Sequence, residues 1–319
     1  MRYLWLFALF AGHAAFAADD DARRCDAAGA DAFDPLRPAD VPFRYYHPFY
    51  ADVAAMKADV AACQRAFAAS KDPRYFYQAG MILSDATSAQ DLRYIAAGEA
   101  PAVADGGMAM LSLGAYQAAA DAGYATARYR LLLLPQITEN KQAFDDLRKD
   151  MPLLGDFGLA QWYEHQERLA PERKAEWRAL RKQHLQAVAE AGSAHGKLAL
   201  ARLLMEEGEM AQAHSLLQAL IAADAQNLLA QDTLALFYFN TGDTAAGEAL
   251  LAGVQQRAEA GDADAQVFTD YWRGLRLLNG WGVETDETAA TALLQAAARS
   301  GHRGAQRLGP SSKTEAMRA

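Results

Sequence analysis

The residues best suited to acid–base or metal chemistry are scattered along this chain. It has seven histidines, and none belongs to a His-Glu-x-x-His or Cys-x-x-Cys metal motif. The sequence also contains no Gly-x-Ser-x-Gly nucleophile turn and no Gly-Lys-Ser phosphate loop. Acid pairs such as Glu206-Glu207 and Asp145-Asp146 fall at predicted helix ends or turns, where solvated carboxylates are expected. The sequence therefore predicts no catalytic residue, no metal site and no cofactor.

The first seventeen residues have the layout of a secretory signal peptide. Arg2 precedes an apolar stretch over residues 3–11, and Ala15-Phe16-Ala17 supplies small residues at the −3 and −1 positions of a cleavage site. The apolar stretch is about half of what a bilayer span needs, which disfavours the alternative of a membrane anchor. We expect a mature chain that begins at Ala18, is periplasmic or secreted, and has no transmembrane anchor.

Cys25 and Cys63 are the only cysteines, and both would remain after cleavage. In an oxidising compartment two lone cysteines most simply form a disulfide. Closing a loop of this length stabilises the fold by about 3–4 kcal/mol on the chain-entropy model. The intervening segment, with Asp34-Pro35 and Val41-Pro42, has few helix signals and little reason to stay docked unless tied down. A redox-active pair is the alternative, but the spacing is not the Cys-x-x-Cys arrangement that lowers a thiol pKa.

A basic stretch stands out in this acidic chain. Its members are Arg173, Lys174, Arg178, Arg181, Lys182 and His184. Helical spacing places several of them on one face, which could meet an acidic partner or an anionic polymer. The alternative interpretation is a solvated face whose charge is balanced by Glu167, Glu172 and Glu176.

The elements that must position these residues repeat along the chain. Gly208, Gly242 and Gly280 recur at intervals of 34 and 38 residues, each in the turn of a predicted helix pair. When the first two turns are aligned, Leu204 corresponds to Tyr238. The interval is that of the tetratricopeptide repeat. It predicts an all-α, right-handed superhelical solenoid of antiparallel helix hairpins.

Composition agrees with closely packed helices. Alanine accounts for 73 of the 319 residues, and it is the strongest helix former. Ala201 and Ala213 are examples at positions where two helices of one hairpin would approach closely. The formal charge of −9 makes nucleic acid an improbable partner. The sequence has no series of apolar runs of about 20 residues, which excludes a polytopic membrane protein.

One segment near the C-terminus resembles a known repeat family. The run Gly280-Trp281-Gly282-Val283-Glu284-Thr285-Asp286 is followed by Ala290, Ala297-Ala298 and Gly301-His302. This order resembles the Sel1-like repeat, a close relative of the tetratricopeptide repeat. The resemblance implies a solenoid that serves protein–protein interaction. The segments 122–127 and 191–196 resemble the junctions between such repeats and lie 69 residues apart, which is about two periods.

These signals predict five regions. They are a signal peptide over 1–17, an N-terminal leader with the disulfide and first helix over 18–70, degenerate helical repeats over 71–191, Sel1-like or tetratricopeptide-like repeats over 192–308, and a flexible tail over 309–319.

Stacked hairpins present an extended concave face formed by their first helices, which suits a peptide better than a small molecule. On a tetratricopeptide-like register the candidate partner-binding residues are His195, Arg202, Glu206, Asp232, Phe239 and Asn240. Phe239 is expected on an open surface, although any of these side chains could instead pack against a neighbouring helix. We expect a non-catalytic periplasmic or secreted scaffold that binds a partner peptide or protein of the cell envelope. The alternatives are an envelope enzyme, such as a peptidoglycan hydrolase, and an accessory scaffold for exopolysaccharide export.

Overall fold

The computed structural model describes residues 19–31, 34–41, 43, 45–46, 53–84, 106–133 and 141–308. Within these ranges the chain forms helices and short turns, with no β-strand. Its internal contacts divide it into two units, Met1–Leu131 and Leu132–Ala319, which are described separately. The predicted signal peptide and tail lie outside the described residues. No helix in the described ranges is long and apolar enough to cross a membrane.

The described residues of the first unit form five helices. They are α1 over residues 19–29, α2 (Val53–Ser70), α3 over residues 74–84, α4 (Gly106–Asp121) and α5 (Ala125–Leu132). A disulfide joins Cys25 of α1 to Cys63 of α2, as predicted, with the two Cα atoms 4.9 Å apart. Both cysteines are fully buried in a cluster with Tyr75 and Ile82, so the cross-link lies inside the core of this unit.

Asp34 holds the irregular segment between the two cysteines. Its carboxylate accepts hydrogen bonds from Tyr124 Oη, from Thr126 Oγ1 at 2.6 Å and from the Leu36 amide at 3.0 Å. Burial is the largest influence on this group and raises its pKa. Residues 34–36 are therefore held by a buried polar anchor.

The second unit is a series of antiparallel helices. They are α6 (Lys141–Asp150), α7 (Pro152–Leu169), a 3-10 turn (Pro171–Arg173), α8 (Lys174–Glu190), α9 (Ala194–Glu206), α10 (Met210–Ala223), α11 (Leu228–Thr241), α12 (Thr244–Glu259), α13 (Ala263–Asn279), α14 (Glu287–Arg299) and α15 (Arg303–Leu308). From α6 onward each helix packs on the next, and α11 also contacts α9 and α13. The prediction of an all-α solenoid of helix hairpins is confirmed.

The hairpin boundaries follow from local chemistry. Five first turns are capped by a side chain that accepts a hydrogen bond from the backbone, at Ser193, Asn227, Asp243, Asp262 and Asp286. Each such cap contributes about 1 kcal/mol. Gly242 ends α11 with a φ of 81°, a left-handed conformation that a residue without a side chain adopts most readily.

Small residues set how closely the helices approach. Ala201, Ala213 and Ala235 are completely buried. At Gly247 of α12, an added Cβ would lie 2.9 Å from the ring of Phe239 on α11. The alanine-rich composition thus serves helix–helix contact as well as helix propensity.

Candidate binding surface

The first helices of successive hairpins lie side by side in the second unit. Here α9 contacts α11, α11 contacts α13, and α15 begins directly after His302. We call the surface formed by these helices and His302 the first-helix face. All six predicted binding residues belong to α9 or α11.

Arg202 links the first two helices of this face. Its Nε and Nη2 donate to Thr233 Oγ1 on α11 at 3.1 and 3.0 Å. The Thr233 hydroxyl donates in turn to the Leu229 carbonyl, so it is available to Arg202 only as an acceptor. The Arg202 residue remains exposed and places a permanent positive charge on the surface.

Asp232 lies at the centre of the first-helix face. Its Oδ1 accepts a hydrogen bond of 2.8 Å from Trp272 Nε1 on α13 and lies 3.9 Å from His302 Nε2. Burial raises the pKa of this carboxyl to about 6, although the positive charge of Arg202 and the Trp272 hydrogen bond oppose the shift. The side chain still keeps 22% of its surface exposed. It therefore offers an acceptor to a ligand on this face.

His302 lies beside the Asp232 carboxyl but carries no charge that would balance it. The imidazole is 2% exposed and stacks on Tyr271 with the ring centroids 3.7 Å apart. Its Nδ1 accepts from the Ala305 amide at 3.3 Å, which caps α15. Burial lowers the pKa of His302 to about 3, so the ring is uncharged at neutral pH.

Phe239 does not lie on an open surface, and that expectation is wrong. The residue is 5% exposed, and its ring stacks on Trp272 at 5.5 Å and on Trp281 at 5.1 Å between centroids. The ring also faces Gly247 of α12 within its own hairpin, and α13 has 17 residues whereas α11 has 14. The longer helix carries the Trp281 turn over Phe239. This side chain belongs to the core and is unavailable to a partner.

Glu206 is already engaged by the basic stretch. Its Oε2 lies 3.3 Å from Arg178 Nη2 and 3.3 Å from Arg181 Nη1. Arg178 also pairs with the buried Glu167 at 3.1 Å, and Lys182 pairs with Glu207 at 2.7 Å. The interpretation of a charge-balanced stretch is therefore the one that the structure supports. Most of the negative charge that balances this basic stretch comes from glutamates of α7, of the end of α9 and of the turn that follows α9.

The last two predicted residues differ in accessibility. His195 is half-buried, and its ring centroid lies 4.4 Å from that of Phe157 on α7. Asn240 is exposed near the end of α11. The structure thus brings Arg202 and Asp232 to one patch, leaves Asn240 accessible on the same helix as Asp232, and commits Glu206, Phe239 and His195 mainly to contacts within the fold.

Comparison with known proteins finds similarity to solved structures only. No protein-family model matches the chain, and no curated protein matches it. Among solved structures it is similar to the crystal structure of c5321, a protective antigen present in uropathogenic Escherichia coli strains that displays an SLR fold. The two share 18% sequence identity with a TM-score of 0.37. The match covers 77% of this chain and 57% of the antigen, so the chain spans little more than half of that protein's length.

Two contributors to the face escaped sequence reasoning. Trp272 and His302 contact Asp232 across one and two hairpins, and no local pattern predicts contacts over such separations. The signal that could have identified His302 is the Gly301-His302 junction, because it places a polar residue directly before a first helix. The described residues hold no group of three or more His, Cys, Asp or Glu side chains arranged to bind a metal ion.

Proposed function

We propose that this protein is an exported, non-catalytic Sel1-like repeat scaffold that binds a partner polypeptide on its first-helix face. The observation that carries the proposal is the patch formed by Arg202 and Asp232, with Asn240 exposed on the same helix as Asp232. Together they combine a guanidinium, a carboxylate and a carboxamide on two adjacent helices, and all three retain exposure.

These groups suit a peptide because a peptide backbone presents both donors and acceptors. Asn240 can do both, Arg202 donates and ionised Asp232 accepts. Their positions are fixed by contacts within the fold, since Thr233 holds Arg202 and Trp272 holds Asp232. A face ordered before binding loses little side-chain entropy when a peptide is bound. Export is supported by the disulfide and by the signal-peptide layout of residues 1–17.

Site-specific photo-crosslinking in the native envelope tests the proposal. A photoreactive residue would replace Asn240 on the first-helix face or Gln256, an exposed carboxamide of the second helix α12, as the matched control. We expect Asn240 to capture a defined protein that Gln256 does not capture. We also expect Arg202→Gln to weaken binding of that protein at least fivefold, because the charge is lost while the side chain keeps a donor. Equal capture from both positions, or cleavage of peptidoglycan by the purified protein, would overturn the proposal.

A further inference from the structure

A second surface of the same unit also has the form of a binding site. Where α8 and α10 flank α9, they enclose a groove of about 570 Å³. Its floor is apolar and includes Leu200 and Leu204 of α9 and Leu216 of α10. The exposed Ala211 and Gln186 stand on its rim. We call this the α8–α10 groove, and its volume is within the range of small-ligand sites.

One repeat further along, the position aligned with a residue of the groove carries an aromatic side chain. The capping residues Ser193 and Asn227 align the two repeats with an offset of 34 residues. On this alignment Tyr238 takes the position of Leu204. The Tyr238 ring packs on the apolar cluster between α10 and α11, and its hydroxyl lies 3.0 Å from His214 Nε2 on α10.

The comparison indicates what the α8–α10 groove lacks. Leu204 has neither the ring nor the hydroxyl with which Tyr238 contacts the preceding second helix. On the same alignment the exposed Gln186 stands where the next repeat buries Leu220. The α8–α10 groove therefore lacks the aromatic ring of the aligned position and carries a polar group where the next repeat is apolar.

Charged side chains on the rim of the groove add a second requirement for its ligand. Glu190 at the end of α8 and Lys197 in the first turn of α9 both line the groove. Across the described ranges neither side chain forms an ion pair or a side-chain hydrogen bond. They lie on either side of the short turn between the two helices, and so present opposite charges at one end of the groove. A ligand with a cationic and an anionic group beside its ring would complement both.

We propose that the α8–α10 groove binds a partner polypeptide through one inserted aromatic side chain, with charged neighbours of that side chain meeting Glu190 and Lys197. The site is separate from the first-helix face and does not depend on it. An aromatic residue that enters a preformed apolar groove is the arrangement found at the energetic centres of many protein interfaces.

Titration with short peptides, monitored by amide NMR of the ¹⁵N-labelled full chain, tests the inference. The probe is acetyl-Lys-Tyr-Asp-amide, and the matched control is acetyl-Lys-Ala-Asp-amide. We expect the tyrosine peptide to shift the amides of residues 186–190, 197–204 and 211–216, and to bind at least tenfold more tightly than the alanine peptide. Absence of these shifts at the solubility limit of the probe, or equal affinity of the two peptides, would overturn the inference.

Two tryptophan variants locate the binding. Ala211→Trp fills the groove from its exposed rim, and Ala245→Trp makes the same change at the aligned, exposed position of the next repeat. We expect Ala211→Trp to abolish the shifts and Ala245→Trp to preserve them. Persistence of the shifts in Ala211→Trp would exclude the groove. A concentration-dependent dimer that Ala211→Trp dissociates in sedimentation experiments would assign the groove to a second copy and also overturn the inference.

Discussion

The indole of Trp272 donates a hydrogen bond of 2.8 Å to the carboxylate of Asp232, forty residues earlier in the chain. This bond joins α13 to α11. Trp272 is 1% exposed and also stacks on Phe239, so it serves the core and the candidate binding surface at once. Changes at either residue should therefore affect both stability and binding.

Replacing Trp272 tests the structural part of that relationship. Trp272→Phe keeps an aromatic ring but leaves Asp232 without its indole donor, and we expect a loss of about 2–4 kcal/mol in unfolding free energy. Urea unfolding monitored by circular dichroism measures it. The control is Trp281→Phe, which alters a half-buried ring stacked on the same Phe239 and should cost less. Equal losses in the two variants would contradict the assigned role of the hydrogen bond.

Asp232 should make stability depend on pH in a defined direction. Its folded-state pKa of about 6 lies above the unfolded value of 3.8, so folding is favoured while the group is protonated. This contribution is complete below about pH 4 and disappears as pH rises through about 6, with a total of about 2–3 kcal/mol. His302, with a pKa of about 3, stays neutral across that window.

Asp232→Asn isolates this effect, because asparagine cannot ionise but keeps an acceptor for Trp272. We expect the difference in unfolding free energy between variant and parent to move in favour of the variant as pH increases from 4 to 7. Urea unfolding at pH 4.5, 5.5 and 7.0 provides the comparison. A difference that is independent of pH would show that Asp232 does not titrate in this range.

The disulfide should be a major stabilising element of the first unit. A Cys25→Ala, Cys63→Ala double variant should lose about 3–4 kcal/mol in unfolding free energy, because the unfolded chain regains loop entropy. Reductant should destabilise the parent and leave the double variant unaffected. Thiol titration of the unreduced, unfolded parent should find no free cysteine, and two free thiols would refute the cross-link.

Asp34 should anchor the segment between the cysteines. Asp34→Ala removes the acceptor of Tyr124 and Thr126 and leaves two buried hydroxyls without it, which we expect to cost about 2–4 kcal/mol. Hydrogen exchange at residues 34–41 should accelerate in parallel. The matched control is Asp40→Ala, because Asp40 is exposed in the same segment. Similar exchange rates in the two variants would argue against Asp34 as the anchor.

Local sequence patterns predicted the helix hairpins and the disulfide. Caps such as Asn227 and the glycine at Gly242 act within a few residues, so their effect can be recognised in the sequence itself. The pairing of Cys25 with Cys63 followed from their being the only two cysteines of a chain with a predicted export signal.

Contacts between hairpins could not be predicted in the same way. The stacking of Phe239 on Trp272 and Trp281 involves side chains of a different repeat. Likewise, the pairing of Arg181 with Glu206 depends on how α8 lies against α9. A register taken from a related repeat places residues on the right helix, but contacts with the neighbouring helices decide which of them reach solvent.

The contact between Asp232 and His302 has a consequence for how the array unfolds. In linear repeat proteins each repeat touches only its immediate neighbours, and terminal repeats fray first. Here the carboxylate of α11 reaches the residue before α15, two hairpins away, at 3.9 Å. The helices from α11 to α15 are therefore in contact past their nearest neighbours, and we expect them to melt as a single cooperative block rather than to peel away from the C-terminal end.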